Sequence, residues 1–175
     1  DEFEIRLNLL GRHNASNALA AASVGWACGC NPEEIRAGLQ RVEAQPGRLQ
    51  VRAGARGSTL IDDTYNANPT SLKAAIRALA ARPGRKALIL GDMAELGTRA
   101  EEFHAEAGRE ARRSGIELLF SCGPLAGLAA EAFGEEARGF DSPENLIKAA
   151  RRLLSPGLTV LIKGSRSARM EQVAD

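Results

Sequence analysis

The sequence lacks both a long apolar run and an excess of charge of one sign. Spanning a membrane takes roughly 20 consecutive apolar residues, but Lys163 closes the run 158–162, and Gly91 and Asp92 close the run 87–90. Lys and Arg number 23 against 22 Asp and Glu, so no broad basic surface is available to hold nucleic acid. We therefore expect a folded globular chain that binds neither nucleic acid nor a membrane.

Cysteine and histidine are also scarce. The three cysteines, Cys28, Cys30 and Cys122, form no paired pattern, which favours buried thiols in a reducing compartment over a disulfide framework. His13 and His104 are not spaced as partners of these cysteines, so no metal site is predicted. Because His104 falls in the middle of a predicted helix, we expect it on the surface.

Several catalytic motifs are missing as well. The phosphate-binding pattern G-x-x-x-x-G-K-[ST] does not occur, and neither does a G-x-S-x-G elbow or a Ser-His-Asp order. We therefore assign no catalytic residue. The chain begins on acidic residues without Met, which does not resemble a signal peptide, and we expect it to be a piece of a longer protein.

Two regions differ in pattern, residues 1–46 and 47–175. The first predicts a strand at 3–7, a small-residue helix at 15–28 and a second helix that starts at Asn31 and Pro32, a typical cap and first helical residue. The second alternates apolar strands with longer helices, which predicts an α/β fold with a mostly parallel sheet and helices on both faces. Strands are expected at 49–52, 59–62, 86–90, 117–121 and 159–162, and helices at 69–81, 99–114, 125–133, 143–154 and from about Ser167.

Polar loops follow three of these strands, at 63–71, 91–97 and 163–167. Ligands bind at the carboxyl ends of such strands, so the loops should converge on one site. Asp62 and Asp63 point to opposite faces of a strand, and only one should enter it, to bind a metal, a ribose or a basic partner. Asn68 before Pro69 suits a helix cap, which does not exclude a ligand.

The loop 163–167 has a different chemistry. Lys163 and Arg166 supply two cations, Ser165 and Ser167 supply two hydroxyls, and a glycine precedes the expected helix start. This combination is typical of a cradle for a carboxylate or a phosphate.

Four segments and a linker arginine together resemble the Mur ligases, ATP-dependent enzymes that add amino acids to the peptidoglycan precursor. Residues 11–21, GRHNASNALAA, are similar to the family segment H-N-x-x-N-A-x-A-A, and Arg48 after Pro46 and Gly47 is similar to the family's linker arginine. Residues 62–71, 90–97 and 163–166 are close to the pattern of the dipeptide-adding member. The resemblance covers nearly the whole chain.

The resemblance implies a division of the chain. Residues 1–46 would be a strand-helix-helix tail of the central ATPase domain, and 47–175 the Rossmann-like C-terminal domain for the incoming dipeptide. ATP and Mg²⁺ would be the cofactors, with the P-loop and the Mg²⁺ ligands outside this chain, so the chain alone should be inactive. The substrates would be UDP-N-acetylmuramoyl-tripeptide and D-alanyl-D-alanine, the partner the rest of the ligase, and the location the bacterial cytoplasm.

The resemblance also implies roles for individual residues. Asn17 would contact adenine, with His13 and Asn14 beside it, Arg48 would reach an ATP phosphate, and Asp63 would bind the ribose hydroxyls. A domain closure over ATP would hinge near residues 46–47. The candidates for dipeptide binding are Asn66, Asn68, Ser71, Lys163, Ser165 and Arg166, with Lys163 or Arg166 pairing with its carboxylate.

Two other interpretations remain open. A Rossmann-like sheet without a P-loop could be a nucleotide- or peptide-binding module without catalysis. A sister ligase similar to folylpolyglutamate synthase is a further alternative, although the loop 92–97 speaks against it.

Overall fold

The computed structural model describes residues 3–175, which fold into seven α-helices and six strands. The helices are α1 (Arg12–Ala27), α2 (Pro32–Gln40), α3 (Pro69–Ala80), α4 (Ala100–Arg113), α5 (Pro124–Phe133), α6 (Pro143–Leu153) and α7 (Glu171–Ala174). The strands are β1 (Gln50–Ala53), β2 (Thr59–Asp63), β3 (Arg85–Gly91), β4 (Leu118–Cys122), β5 (Ala137–Phe140) and β6 (Leu158–Lys163). Within residues 3–175, every helix is too short or too polar to span a membrane.

The six strands form one sheet in the order β1-β2-β6-β3-β4-β5. Only β1 runs antiparallel to its neighbour, and β2, β6, β3, β4 and β5 are all parallel. The predicted mostly parallel sheet is confirmed. Strand β5 was not predicted, because its sequence ARGF contains a charge and a glycine and lies at the exposed edge of the sheet.

Helices cover both faces of the sheet, as predicted. Successive residues of β3 alternate between two apolar clusters, Leu88 and Leu90 in one and Ile89 in the other, because side chains of a strand point to opposite faces in turn. The first cluster packs under α3, α4 and α5, and the second under α6 and α7. The sheet is therefore buried on both sides through its centre, as its continuous apolar strands require.

The predicted strand at residues 3–7 is wrong, because this segment has no regular secondary structure. A strand is stable only when a neighbour satisfies its backbone groups, and no strand among the described residues pairs with it. The second helix is as expected: Asn31 Oδ1 accepts from the Glu34 amide at 2.9 Å, and the Glu34 carboxylate accepts from the Asn31 amide at 2.8 Å. This reciprocal capping box fixes the start of α2.

Helix α1 buries none of its residues within the described part of the chain. Leu19, Val24 and Trp26 are 70%, 63% and 60% exposed, a larger apolar exposure than an isolated surface helix normally shows. Cys28, just past the helix end, is also exposed, and Cys30 and Cys122 are half-buried. The expectation of three buried thiols is therefore wrong, because Cys28 lies just past the end of α1, a helix that buries none of its residues within the described part of the chain.

Candidate functional site

Three polar loops meet where β2, β6 and β3 end. These strands are parallel neighbours, and their register places Asp63 beside Lys163 and Lys163 beside Leu90. The carboxyl ends of adjacent parallel strands lie at one edge of a sheet, so residues 64–68, 92–96 and 164–167 are adjacent in space. The convergence predicted from the sequence is confirmed.

A buried ion pair lies at the centre of this edge. Lys163 Nζ is 2.5 Å from Asp63 Oδ2 and donates to the carbonyl of Asn66 at 2.8 Å. The Lys163 side chain is 2% exposed and that of Asp63 13%, and the Leu49 amide donates to Asp63 Oδ1 at 3.1 Å. One ammonium group thus joins the end of β6 to the end of β2 and to the loop that follows β2.

Burial dominates the ionisation of both partners. Loss of solvent raises the pKa of the Asp63 carboxyl above its ordinary value, and the attraction of Lys163 only partly offsets this rise. Loss of solvent likewise lowers the pKa of the Lys163 ammonium, with Asp63 opposing the change and Arg48 adding to it. Each charge therefore depends on the other, since solvent reaches Lys163 hardly at all and Asp63 only slightly.

Asp62 has a separate set of partners. Its Oδ1 accepts from the Thr64 amide at 3.2 Å and from the Thr64 hydroxyl at 2.7 Å, and its Oδ2 lies 3.6 Å from Arg52 Nη1. Asp62 therefore shapes the turn after β2, and Asp63 alone faces the paired Lys163, as the alternation of strand side chains requires.

The loop after β2 ends in a helix cap. Asn68 Oδ1 accepts from the Ser71 amide at 2.8 Å, and Ser71 Oγ accepts from the Asn68 amide at 3.1 Å. The cap interpretation of Asn68 is confirmed. Asn66 Oδ1 accepts from the amide of Ala67 at 2.8 Å, and Asn66 and Asn68 are exposed. These contacts use the oxygens of the two amide side chains, which leaves their Nδ2 donors available to a ligand.

The loop after β6 turns one cation outward. Ser165 is 3% exposed, and its amide and hydroxyl both donate to the carbonyl of Asp92, at 2.9 and 2.7 Å. Arg166, the next residue, is exposed and forms no ion pair within residues 3–175. Of the two cations predicted for this loop, Lys163 is therefore directed inward to Asp63 and Arg166 outward to solvent.

His104 is fully buried, so the prediction of a surface position is wrong. Helix α4 directs it towards the loop after β3, where its Nε2 accepts from the Met93 amide at 2.9 Å. Its Nδ1 lies 2.7 Å from the carbonyl of Ala100 and carries the donated proton, because a carbonyl can only accept. The imidazole thus satisfies a buried amide of the candidate site.

The linker arginine lies against the loop after β2. The Arg48 guanidinium carbon is 4.0 Å from the centroid of the Tyr65 ring, a cation–π distance, and the Tyr65 amide donates to the Gly47 carbonyl at 3.0 Å. Gly47 has a φ of 71°, a conformation that glycine adopts without strain. Arg48 is exposed, and its positive charge contributes to the lowering of the Lys163 pKa.

The remaining nucleotide candidates lie on α1. Asn14 Nδ2 donates to the Leu10 carbonyl at 2.7 Å, and Asn17 Nδ2 lies 3.3 Å from Asn14 Oδ1. His13 and Asn17 are exposed. Within residues 3–175 no hydrogen bond joins these three side chains to the loops at the sheet edge, so the structure groups Arg48, Asp63 and the dipeptide candidates but not the α1 residues with them.

One residue at this edge was missed from the sequence. Asp92 directly follows β3, as Asp63 ends β2, and its Oδ1 accepts from the Ala126 amide at 2.6 Å. An aspartate at the end of an apolar strand is the same signal that selected Asp63 and could have selected Asp92. Across residues 3–175, no cluster of three or more His, Cys, Asp or Glu side chains is arranged to hold a metal ion.

Comparison with known proteins identifies the family to which this chain belongs. The family model for the Mur ligase, glutamate ligase domain matches residues 47–166, and the chain belongs to this family. It is similar to the UDP-N-acetylmuramoyl-tripeptide–D-alanyl-D-alanine ligase of Escherichia coli (strain K12), at 41% identity over 97% of this chain and 38% of that protein. The Bacillus subtilis (strain 168) ligase of the same name is 34% identical over 94% of this chain and 38% of that protein.

A solved structure agrees with these relatives. The MurF ligase from Thermotoga maritima in complex with ADP superimposes with a TM-score of 0.86 at 30% identity, over 98% of this chain and 39% of that one. The chain therefore spans somewhat over a third of the length of the relatives it matches.

Proposed function

We propose that this chain forms the dipeptide-accepting part of an ATP-dependent ligase that joins D-alanyl-D-alanine to UDP-N-acetylmuramoyl-tripeptide. The observation that supports it most is the convergence of three polar loops around the Asp63–Lys163 pair, in a chain whose relatives are named for this reaction. The rest of the ligase would supply the other wall of the site, in the bacterial cytoplasm where the nucleotide-linked precursor is made.

The proposed division places residues 1–46 at the end of the central ATPase domain and 47–175 in the C-terminal domain. The exposed apolar residues Leu19, Val24 and Trp26 of α1 support this division, since large exposed apolar side chains on one helix are normally covered by another part of the protein. Gly47, with its positive φ, is a suitable pivot between the two.

The nucleotide would lie between α1 and the sheet edge. Arg48 would leave the Tyr65 ring to bind an ATP phosphate, because a guanidinium keeps its charge and can bind in a bidentate manner. Asp63 would accept from the ribose hydroxyls, since each carboxylate oxygen has a second lone pair beyond those used by Leu49 and Lys163. Asn17, with His13 and Asn14, would contact adenine.

ATP would be accompanied by Mg²⁺, whose ligands we place outside this chain. The solved structure of a relative in complex with ADP supports the proposal that an adenine nucleotide binds here.

The dipeptide would bind beside these residues. Arg166, which is exposed, would pair with the terminal carboxylate of the dipeptide. The buried Lys163 would not contact the dipeptide but would hold Asp63 and the Asn66 carbonyl in place. Asn66 and Asn68 would donate through their amide nitrogens to the peptide, and Ser71 would maintain the cap that orients Asn68. Ser165 would shape the loop that carries Arg166.

The proposed site would promote the ligation by positioning the dipeptide and the nucleotide. ATP phosphorylates the carboxylate of the tripeptide and leaves as ADP, and the amine of D-alanyl-D-alanine then attacks the acyl carbon. A C–N bond forms, the acyl C–O bond to phosphate breaks, and the amine loses a proton. Holding the amine beside the acyl phosphate is worth several orders of magnitude in rate. The residues of this chain would hold the dipeptide and the nucleotide for that attack.

The test uses the complete polypeptide that contains this chain. It is supplied with ATP, Mg²⁺, UDP-N-acetylmuramoyl-tripeptide and either D-alanyl-D-alanine or L-glutamate, and the product is identified by mass spectrometry while ADP release is followed. The expected result is ADP release that depends on the dipeptide, with the tripeptide product extended by two alanines. Release that depends only on L-glutamate, or dipeptide binding without turnover, would refute the proposal.

A further inference from the structure

Asp92 connects loops that come from three different strands. It lies directly after β3, and its carboxylate Oδ1 accepts from the amide of Ala126 at 2.6 Å. Ala126 is in the first turn of α5, the helix that follows β4. A carboxylate at this point satisfies an amide that has no partner inside its own helix, so the side chain of Asp92 fixes its own peptide against α5.

The backbone of Asp92 makes the second connection. Its carbonyl accepts from both the amide and the hydroxyl of Ser165, at 2.9 and 2.7 Å. Ser165 lies in the loop after β6, next to the outward-facing Arg166. The direction of the Asp92 carbonyl therefore determines where this loop is held, and that direction is fixed by the bond between the Asp92 carboxylate and α5.

Close packing of glycines makes these connections possible. A Cβ on Gly123, whose φ is 119°, would collide with the Asp92 carboxylate. A Cβ on Gly164 would lie 2.5 Å from Cγ of Met170, closer than such contacts occur, and 3.3 Å from the Cα of Gly91, which is a tight contact. Gly123 and Gly164, in the segments after β4 and β6, and Gly91, the last residue of β3, thus let these segments pack closely around Asp92.

The proton of the Ser165 hydroxyl is used by this network. Its single proton is donated to the Asp92 carbonyl, and the Ser167 hydroxyl, 3.0 Å away, is then the donor to Ser165. Ser165 has no proton left to give to a carboxylate ligand. Arg166 lies between these two serines in the chain, so its backbone is held on both sides by a network that ends at Asp92.

From this network we infer that Asp92 is a positioning residue for the dipeptide site. Its carboxylate holds α5, its carbonyl holds Ser165, and the result is a fixed starting point for the Arg166 side chain. Asp92 acts without touching the substrate. The inference rests on the function proposed above for this site.

The test compares Asp92→Ala and Asp92→Asn in the complete polypeptide. Asparagine keeps an oxygen that accepts from Ala126, whereas alanine does not. A displaced Arg166 would lose its charge-assisted hydrogen bond to the dipeptide, which corresponds to about tenfold in affinity, so we expect Asp92→Ala to raise KM for D-alanyl-D-alanine by about that factor and to leave KM for ATP unchanged. Asp92→Asn should restore most of the loss.

Ser142→Ala is the matched control. Ser142 Oγ accepts from the Asn145 amide at the start of α6, at 3.3 Å, so the variant also removes a side-chain acceptor from a helix start, but one that makes no bond to the three loops. It should leave both KM values unchanged. Hydrogen exchange followed by mass spectrometry should show faster exchange in peptides containing Ala126 and Ser165 for Asp92→Ala and not for Ser142→Ala.

The outcomes separate this inference from the function it rests on. Wild-type polypeptide that does not ligate the dipeptide counts against the proposed function, while the exchange measurement still tests the network. An active wild type with an unchanged dipeptide KM in Asp92→Ala overturns the inference. So does Asp92→Asn that is as impaired as Asp92→Ala, because the negative charge itself would then contact the substrate.

Discussion

Substituting one partner of the Asp63–Lys163 pair should lower the free energy of unfolding far more than then substituting the other partner as well. Lys163→Met leaves Asp63 buried without its counter-ion, and Asp63→Asn leaves the Lys163 ammonium in the same position. With side chains 2% and 13% exposed, water can replace neither partner. Breaking a buried pair in this way costs about 3–5 kcal/mol, and we expect each single variant to lose about 3 kcal/mol of the free energy of unfolding.

The directions of the two pKa shifts explain why substituting the second partner should cause little further loss in the free energy of unfolding. Burial raises the pKa of folded Asp63, so the stability linked to this group is complete below its unfolded pKa and is lost as pH rises through the raised value. Burial lowers the pKa of folded Lys163, so its linked stability is present above its unfolded pKa and is lost as pH falls through the lowered value. Wherever both groups are ionised in the folded chain, their charges are therefore maintained at a cost in stability.

Urea unfolding of the 175-residue chain at neutral pH measures these terms. Wild type, Asp63→Asn, Lys163→Met and the double variant form a double-mutant cycle, with the slope of unfolding checked for constancy. The double variant should unfold no more easily than either single variant, which corresponds to a coupling energy of about 3 kcal/mol. Costs that simply add would show that the two groups do not depend on each other and would refute the reasoning.

Two further predictions concern one buried and one half-buried group near the site. His104→Ala should lower the free energy of unfolding by roughly 2–4 kcal/mol, since it leaves a cavity and an unpaired Met93 amide; a loss in urea unfolding no larger than that of an exposed control, Glu131→Ala, would contradict it. Cys122 should react with a thiol-specific reagent more slowly than the exposed Cys28, because burial, with a contribution from Asp92, raises the pKa of its thiol. Equal rates in the single-cysteine variants would contradict the second prediction.

The sequence predicts the architecture because its apolar strands and longer helices alternate. Once the strands are parallel, the polar loops after β2, β3 and β6 must lie at one edge, and this much follows without coordinates. The pairing of Asp63 with Lys163 does not follow, because it depends on β6 lying between β2 and β3, and the two residues are 100 positions apart. The local sequence pattern does not indicate that β6 lies between β2 and β3 in the sheet.

The misses have a common physical cause. Residues 3–7 alternate like a strand but have no partner within the described part of the chain, whereas β5 lacks a strand pattern and is held by its neighbour β4. His104 is buried because its helix turns it towards Met93, although it lies in a sequence of charged residues. In each case the tertiary neighbour decides the outcome, and local propensity does not.

The orientation of Arg166 is the structural feature on which the proposed dipeptide site depends most. Lys163 is paired with Asp63, so Arg166 is the exposed cation that residues 164–167 offer to the terminal carboxylate of the dipeptide. Arg138, an exposed arginine on the far strand β5, offers a matched control with the same side chain at the same sheet but away from the loops.

The most direct measurement is therefore the KM for D-alanyl-D-alanine of the complete polypeptide carrying Arg166→Ala, Arg166→Lys or Arg138→Ala. Loss of a charge-assisted hydrogen bond predicts an increase of about tenfold or more for Arg166→Ala, a partial recovery in Arg166→Lys, no change in Arg138→Ala and an unchanged KM for ATP in all three. An Arg166→Ala enzyme with wild-type KM for the dipeptide would contradict the placement of the substrate at this edge of the sheet.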